Sequence, residues 1–144
     1  MYHSVIMLLL YFIVGCAQKK SNGVPSLMEE KQEKHEVFWL PYRSLSMEEY
    51  RSKPQIIYVT ADWCLTCVRF EREVLLHDSI QSSLLERGFV AFRADWTQND
   101  PEVSALMEQY KVQLLPFLVV IKDGTTVLLK EGAQRELLEK AITD

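Results

Sequence analysis

Cysteine and histidine are scarce in this chain, three of each in 144 residues. A disulfide-scaffold protein needs far more cysteine, so each Cys here has to be read by its own location. No dense basic cluster is present and the formal net charge is -4. That excludes a nucleic-acid partner held by phosphate neutralisation. There is no apolar run of about 20 residues, the length that spans a bilayer, and no internal repeat or low-complexity block. What remains is 48% hydrophobic and 25% charged residues, the balance of a globular domain with a core of its own. The length suits one domain.

The longest apolar run is "VIMLLLYFIV", Val5 to Val14, ten residues. It fits the hydrophobic region of a signal peptide, about 7–15 residues, and is too short for a spanning helix. "IVGC" resembles the lipobox of bacterial lipoproteins, which implies that Cys16 is the lipid-attachment residue. "MYHS" supplies no Lys or Arg, and a short uncleaved membrane anchor is the alternative. Either way the domain is exported and tied to a membrane. Residues 17 to about 35 are polar and charged, with Gly23 and Pro25, and cannot bury enough surface to offset their ordering entropy. The expected organisation is a signal peptide at 1–15, a lipid-anchored tether at 16–36 and a folded domain at 37–144.

Within that domain "VFWLPY" reads as a short strand closed by Pro41. Ser46 is placed to cap a short helix from Met47 to about Ser52, ended by Lys53-Pro54. "QIIYVT" is a continuous apolar strand of the buried kind. A helix is expected from about Cys64 to Leu76, with Phe70, Val74 and Leu75 inward. Asp78 would cap a helix over 79–86 that Gly88 ends. "FVAFRAD" is the next strand, Pro101 opens a helix to about Tyr110, and "FLVVIK", Asp123-Gly124 and "TVLL" form a hairpin. The last helix runs from about Gln134 to Ile142. This order implies an α/β sandwich: three strands paired in parallel, with antiparallel strands added by the hairpin.

The chemistry concentrates in "ADWCLTC". A structural zinc site would need a second Cys or His pair, and outside the motif the mature chain offers only His35 in the tether and His77 at a helix end. An inert clip is equally weak, because closing a four-residue loop removes only about 2 kcal/mol of unfolded-state entropy. Between a buried strand and a helix, the first sulfur sits where free helical N–H groups favour a thiolate. Cys64 thus has the place of a nucleophile. Cys67, one turn further in, can attack the mixed disulfide that Cys64 forms.

"ADWCLTC", "RFE" after it, "ADWTQNDPEV" at 94–103 and Leu114-Leu115-Pro116 together resemble the thioredoxin-like family. Within it they are similar to the C-terminal thioredoxin-like domain of DsbD and to DsbH-type periplasmic oxidoreductases. The similarity covers roughly residues 37–142. It implies a thioredoxin-like sandwich with a central mixed sheet, and a cis Pro116 that presents the Leu115 backbone to an extended substrate chain. In that family a buried Asp lies six residues before the first Cys, where this chain has Tyr58. Glu71 is the substitute the resemblance offers: it shares a helix face with Cys64 and Cys67 and could exchange a proton with Cys67. The alternative is a solvated Glu71 paired with Arg69, Arg72 or Lys111. Trp63 either shields the sulfurs or is a plain core residue. Asp62 is a helix-entry acid, and Trp96 and Thr97 have packing or turn roles.

Leu65 and Thr66 are neither the Gly-Pro of thioredoxin nor the Pro-His of strong DsbA-type oxidants, and no extra cation is evident beside the pair. A reduced form that is not over-stabilised makes a poor oxidant. The expectation is a periplasmic, membrane-tethered monomer that reduces disulfides in exported proteins and needs no cofactor. A membrane electron donor of the DsbD or CcdA kind would recharge it. Ala17 resembles the outer-membrane sorting pattern, so the anchor is assigned to either the inner or the outer membrane. The rival reading is a non-catalytic thioredoxin-fold binding or assembly lipoprotein, supported by Tyr58. Copper delivery lacks a suitable His.

Overall fold

The computed structural model describes residues 36–130 and 134–144. The expected signal peptide, Cys16 and all of the expected tether except Glu36 lie outside the described residues.

Five strands form one mixed sheet: β1 (Trp39–Pro41), β2 (Gln55–Thr60), β3 (Val90–Asp95), β4 (Phe117–Lys122) and β5 (Thr125–Leu129), in the order β1-β3-β2-β4-β5. β1, β3 and β2 are parallel, and β4 runs antiparallel to β2. The hairpin therefore supplies one interior strand and one edge. Every residue of β2 is buried, as its unbroken apolar run requires of a strand covered on both faces. Asp123 and Gly124 both have positive φ, 50° and 75°, the pairing that a two-residue hairpin turn demands.

The helices are α1 (Ser44–Glu49), α2 (Leu65–Phe70), α3 (Asp78–Glu86), α4 (Pro101–Gln109) and α5 (Arg135–Thr143). Two caps differ from expectation, and a third was not foreseen. α1 starts before Ser46, and its first N–H is taken by the Glu102 carboxylate of α4, which accepts from Ser44 N and Oγ at 2.9 and 3.2 Å. His77, not Asp78, caps α3, its Nδ1 accepting from Ser79 N–H at 3.3 Å. Asp100 caps α4 by accepting from Glu102 and Val103 N–H. The expected long helix after the cysteines breaks its period at Glu71, where a π-helical turn spans Glu71–Leu75.

α3 packs against α5, burying Ile80, Leu84, Leu138 and Ile142. Buried Gln81 ties the start of the domain to the π-helical turn: its Oε1 accepts from Val37 N–H at 2.7 Å and its Nε2 donates to Leu75 C=O. No helix among the described residues is long and apolar enough to cross a membrane.

Candidate active site

β2 ends at Thr60, and Ala61 C=O accepts from Cys64 N–H at 3.0 Å, which folds the chain sharply into α2. Cys64 is the N-cap of that helix, with extended backbone (φ -88°, ψ 98°), and its Sγ accepts from Cys67 N–H at 3.1 Å. The two cysteines are joined in a disulfide. Cys64 is 6% exposed and Cys67 1%, so the second sulfur is the deeper one, as its position one turn into the helix predicts. The Leu115–Pro116 peptide is cis, as the resemblance implied.

Thr66 joins these two features. Its Oγ1 lies 3.3 Å from Cys64 Sγ and 3.2 Å from the Leu115 carbonyl oxygen. Leu115 and Pro116 are buried, whereas Leu114 beside them is 64% exposed. Trp63 is 59% and Leu65 84% exposed, so the buried sulfur of Cys64 is flanked in sequence by exposed apolar side chains. Trp63 is thus no core residue. Its Nε1 donates to Thr97 C=O at 3.4 Å, and its ring meets Trp96 edge-on with centroids 6.1 Å apart.

Behind the pair, the register of the sheet decides the contacts. Tyr58 on β2 stands opposite Arg93 on β3, so both side chains emerge on one face of the sheet. The Tyr58 ring stacks on Phe70 of α2 at 6.0 Å and takes the Arg93 guanidinium at 5.8 Å. Its hydroxyl donates to the Cys67 carbonyl at 3.0 Å. Arg93 in turn donates to both oxygens of Glu71, at 3.1 and 3.2 Å. Glu71 thus finds a partner the sequence did not point to. Burial pushes the Tyr58 hydroxyl above its usual range, partly opposed by Thr60; Glu71 adds to the rise and Arg93 counters it.

The loops after β2 and β3 are tied together by Thr97. Its Oγ1 accepts from Asp62 N–H at 2.8 Å and bonds the Asp95 carboxylate, which also accepts from Thr97 N–H at 2.8 Å. Burial opposes ionisation of Asp95, but the two Thr97 bonds and Arg93 outweigh it and hold the carboxyl below its usual range. Among the described residues no group of three or more His, Cys, Asp or Glu is placed to hold a metal. Thr66 and Arg93 are the residues that sequence reasoning missed. Thr66 is part of the motif and was open to notice, but Arg93 reaches the site only through strand register.

A model of the thioredoxin-like family matches residues 44–122. The chain belongs to the thioredoxin-like family. Within that family, the chain is 25% identical over 118 residues to the thiol:disulfide interchange protein DsbD of Yersinia enterocolitica, covering 79% of this chain and 20% of the relative. The chain therefore spans about a fifth of that relative's length. Among solved structures, the oxidised C-terminal domain of DsbD from Neisseria meningitidis superposes with a TM-score of 0.52 and 26% identity, covering 67% of this chain and 83% of that one. A DsbH oxidoreductase shares the fold at a TM-score of 0.57 and 19% identity, covering 74% and 85%. The thioredoxin-like domain, the similarity to the DsbD C-terminal domain and a Cys-X-X-Cys pair at disulfide distance support a thiol:disulfide oxidoreductase.

Proposed function

We propose that this chain is a membrane-tethered periplasmic reductase of disulfides in exported proteins. The observation that carries the reading is the asymmetry of the pair: Cys64 caps α2 at the rim while Cys67 lies beneath it. In the reduced enzyme the Cys64 thiolate attacks one sulfur of a substrate disulfide. That bond breaks, a Cys64–substrate bond forms, and the other substrate sulfur leaves as a thiolate and takes a proton. Cys67, deprotonated, then attacks Cys64 Sγ and releases the second substrate sulfur. Two electrons have passed to the substrate, the pair has become the Cys64–Cys67 disulfide, and the two thiol protons end on the substrate. Glu71 is proposed as the acceptor of the Cys67 proton, with Arg93 fixing its carboxylate. Trp63, Leu65 and Leu114 offer an apolar rim for a loosely folded substrate, and Leu115 and Pro116 its backbone partner.

The direct test is reduction of insulin disulfides by the pre-reduced protein. Cys64→Ser is expected to lose all of it, and Cys67→Ser to accumulate mixed disulfides whose partners identify the substrates. Activity that survives Cys64→Ser sinks the reductase reading and favours the binding-module rival, for which the Tyr58 hydroxyl bonded to a carbonyl instead of a thiol is the supporting observation. Direction is read by equilibration with glutathione, where a potential near that of DsbA-type oxidants would reverse it.

A reductase outside the cytoplasm has to be recharged, and a membrane thiol donor of the DsbD or CcdA kind fits the chemistry. The proposed organisation is a signal peptide at 1–15, acylation at Cys16, a tether to residue 36 and the catalytic domain at 37–144, acting as a monomer. A tether raises the effective concentration of the domain at such a donor. Cys16→Ser is expected to move the protein from the membrane fraction to the soluble periplasm; unchanged fractionation would remove the lipid anchor from this account.

A further inference from the structure

Thr66 carries one hydroxyl proton and has two acceptors within reach, Cys64 Sγ at 3.3 Å and the Leu115 carbonyl oxygen at 3.2 Å. We infer that this hydroxyl is a redox-governed positioning group: it holds the Leu115 carbonyl while the pair is oxidised and turns to Cys64 once that sulfur is a thiolate. The inference rests on the proposed reading of Cys64 as the attacking sulfur and Leu115 as the backbone partner of the substrate.

The two states differ in which acceptor is the stronger. In the disulfide, Cys64 Sγ is uncharged and a weak acceptor, whereas a peptide carbonyl is a strong one. The proton therefore goes to Leu115. Reduction and ionisation turn Sγ into a charged acceptor, and charge-assisted hydrogen bonds are roughly twice as strong as neutral ones. The proton then swings about the Cβ–Oγ bond to the sulfur, a rotation that leaves the Thr66 heavy atoms in place. In the disulfide state Cys64 Sγ also accepts from the Cys67 N–H.

The consequence falls on Leu115. Its side chain is buried, and its carbonyl oxygen, reached by the exposed Thr66, gains most from a new donor when Thr66 has turned away. The N–H of an extended substrate chain arriving beside the cysteines restores the bond. In the oxidised state the same oxygen is already shared with Thr66, so a second donor gains less there. The reduced form, which must capture an oxidised substrate, thus holds an extended chain more tightly. The oxidised form, which must release its product, holds it less tightly. Valine has the shape of threonine without the proton and cannot make the exchange; serine can.

The test compares Thr66→Val with Thr66→Ser in the full domain. Thr66 is solvent-exposed, so neither change disturbs the core. Arg69 on α2, Glu71, Arg72 and Glu73 on the π-helical turn, Arg93 and Asp95 on β3 and Asp62 in the loop before α2 are the same in both variants. Two quantities are measured. The first is the pH titration of thiolate absorbance in the reduced protein. Thr66→Val is expected to raise the Cys64 pKa by about one unit, a tenfold loss of thiolate below it, and Thr66→Ser to restore the wild-type curve. The second is the affinity of the oxidised protein for a peptide with S-methylated cysteines. Oxidised Thr66→Val is expected to bind it several-fold more tightly than oxidised wild type, and Thr66→Ser to match wild type. A valine variant that titrates like wild type, or that binds the peptide no more tightly when oxidised, overturns the inference. Neither measurement involves turnover, so a wild-type protein that fails to reduce insulin would sink the reductase reading separately.

Discussion

Tyr58 occupies the place of the family's buried Asp, and its chemistry is different. A carboxylate there could exchange protons with the second sulfur, whereas the Tyr58 hydroxyl is committed to the Cys67 carbonyl at 3.0 Å. It acts as a brace for the helix that carries the pair. Tyr58→Phe keeps the ring against Phe70 and Arg93 and removes only the hydroxyl. The Cys67 carbonyl retains the helical N–H of Glu71, so the expected loss is about 1 kcal/mol, read as a lower urea midpoint at constant m-value. No change would mean the bond contributes nothing to stability. At this scale the sequence was informative where chemistry is local. Cys64, Cys67 and the missing Asp are all readable from one short stretch. The Glu71–Arg93 pair was not, because Arg93 lies 22 residues away and arrives only when β2 and β3 pair with Tyr58 opposite it. The expected partners Arg69 and Arg72 are nearer in sequence but bond Glu73 instead.

Among the elements, strands and the hairpin were legible because short β-branched runs and Asp123-Gly124 carry their own conformational preferences. Helix ends were less so. Ser46 looked like a cap, yet the cap of α1 comes from Glu102, a tertiary contact that no local pattern encodes. The single helix expected through Leu76 becomes π-helical at Glu71, where Leu76 N–H donates to Glu71 C=O at 2.9 Å, the i→i+5 bond of a π turn. That extra residue lets Val74 and Leu75 both enter the core while Arg72 and Glu73 stay in solvent. The two site loops depend on one side chain in the same way. Thr97→Val removes the acceptor of Asp62 N–H and a donor to Asp95. Both partners are exposed to solvent, so water replaces part of the loss and the expected cost is about 1 kcal/mol. The Asp95 carboxyl should titrate higher, by NMR, than in the wild type; an unmoved Asp95 would deny Thr97 its role.

Taken as a whole, the molecule has an uneven response to pH. Burial raises Tyr42, Tyr58 and Tyr110 above the usual tyrosine range, with Glu102 and Tyr110 adding to the rise at Tyr42. A raised folded-state pKa means the native protein keeps a proton that the unfolded chain gives up. The stability these groups contribute is whole below about pH 10, the unfolded value, and is lost as pH climbs through their folded values. Asp95 behaves oppositely: depressed in the fold, it contributes above about pH 4 and loses that contribution as pH falls through its folded value. Glu73 is also lowered, first by its bond from Arg69, but it is exposed to solvent and adds little. The expected profile is a plateau between these limits with the steeper fall on the alkaline side, where each tyrosine steepens the slope by at most about 1.4 kcal/mol per pH unit. Urea midpoints measured against pH test this, and Tyr58→Phe sharpens the test. With one of the three groups gone, the alkaline limb should flatten while the acid limb stays as it was. A variant whose alkaline limb matches the wild type would mean that Tyr58 ionises as readily in the fold as outside it, and that its burial against Phe70 and Arg93 has been misjudged.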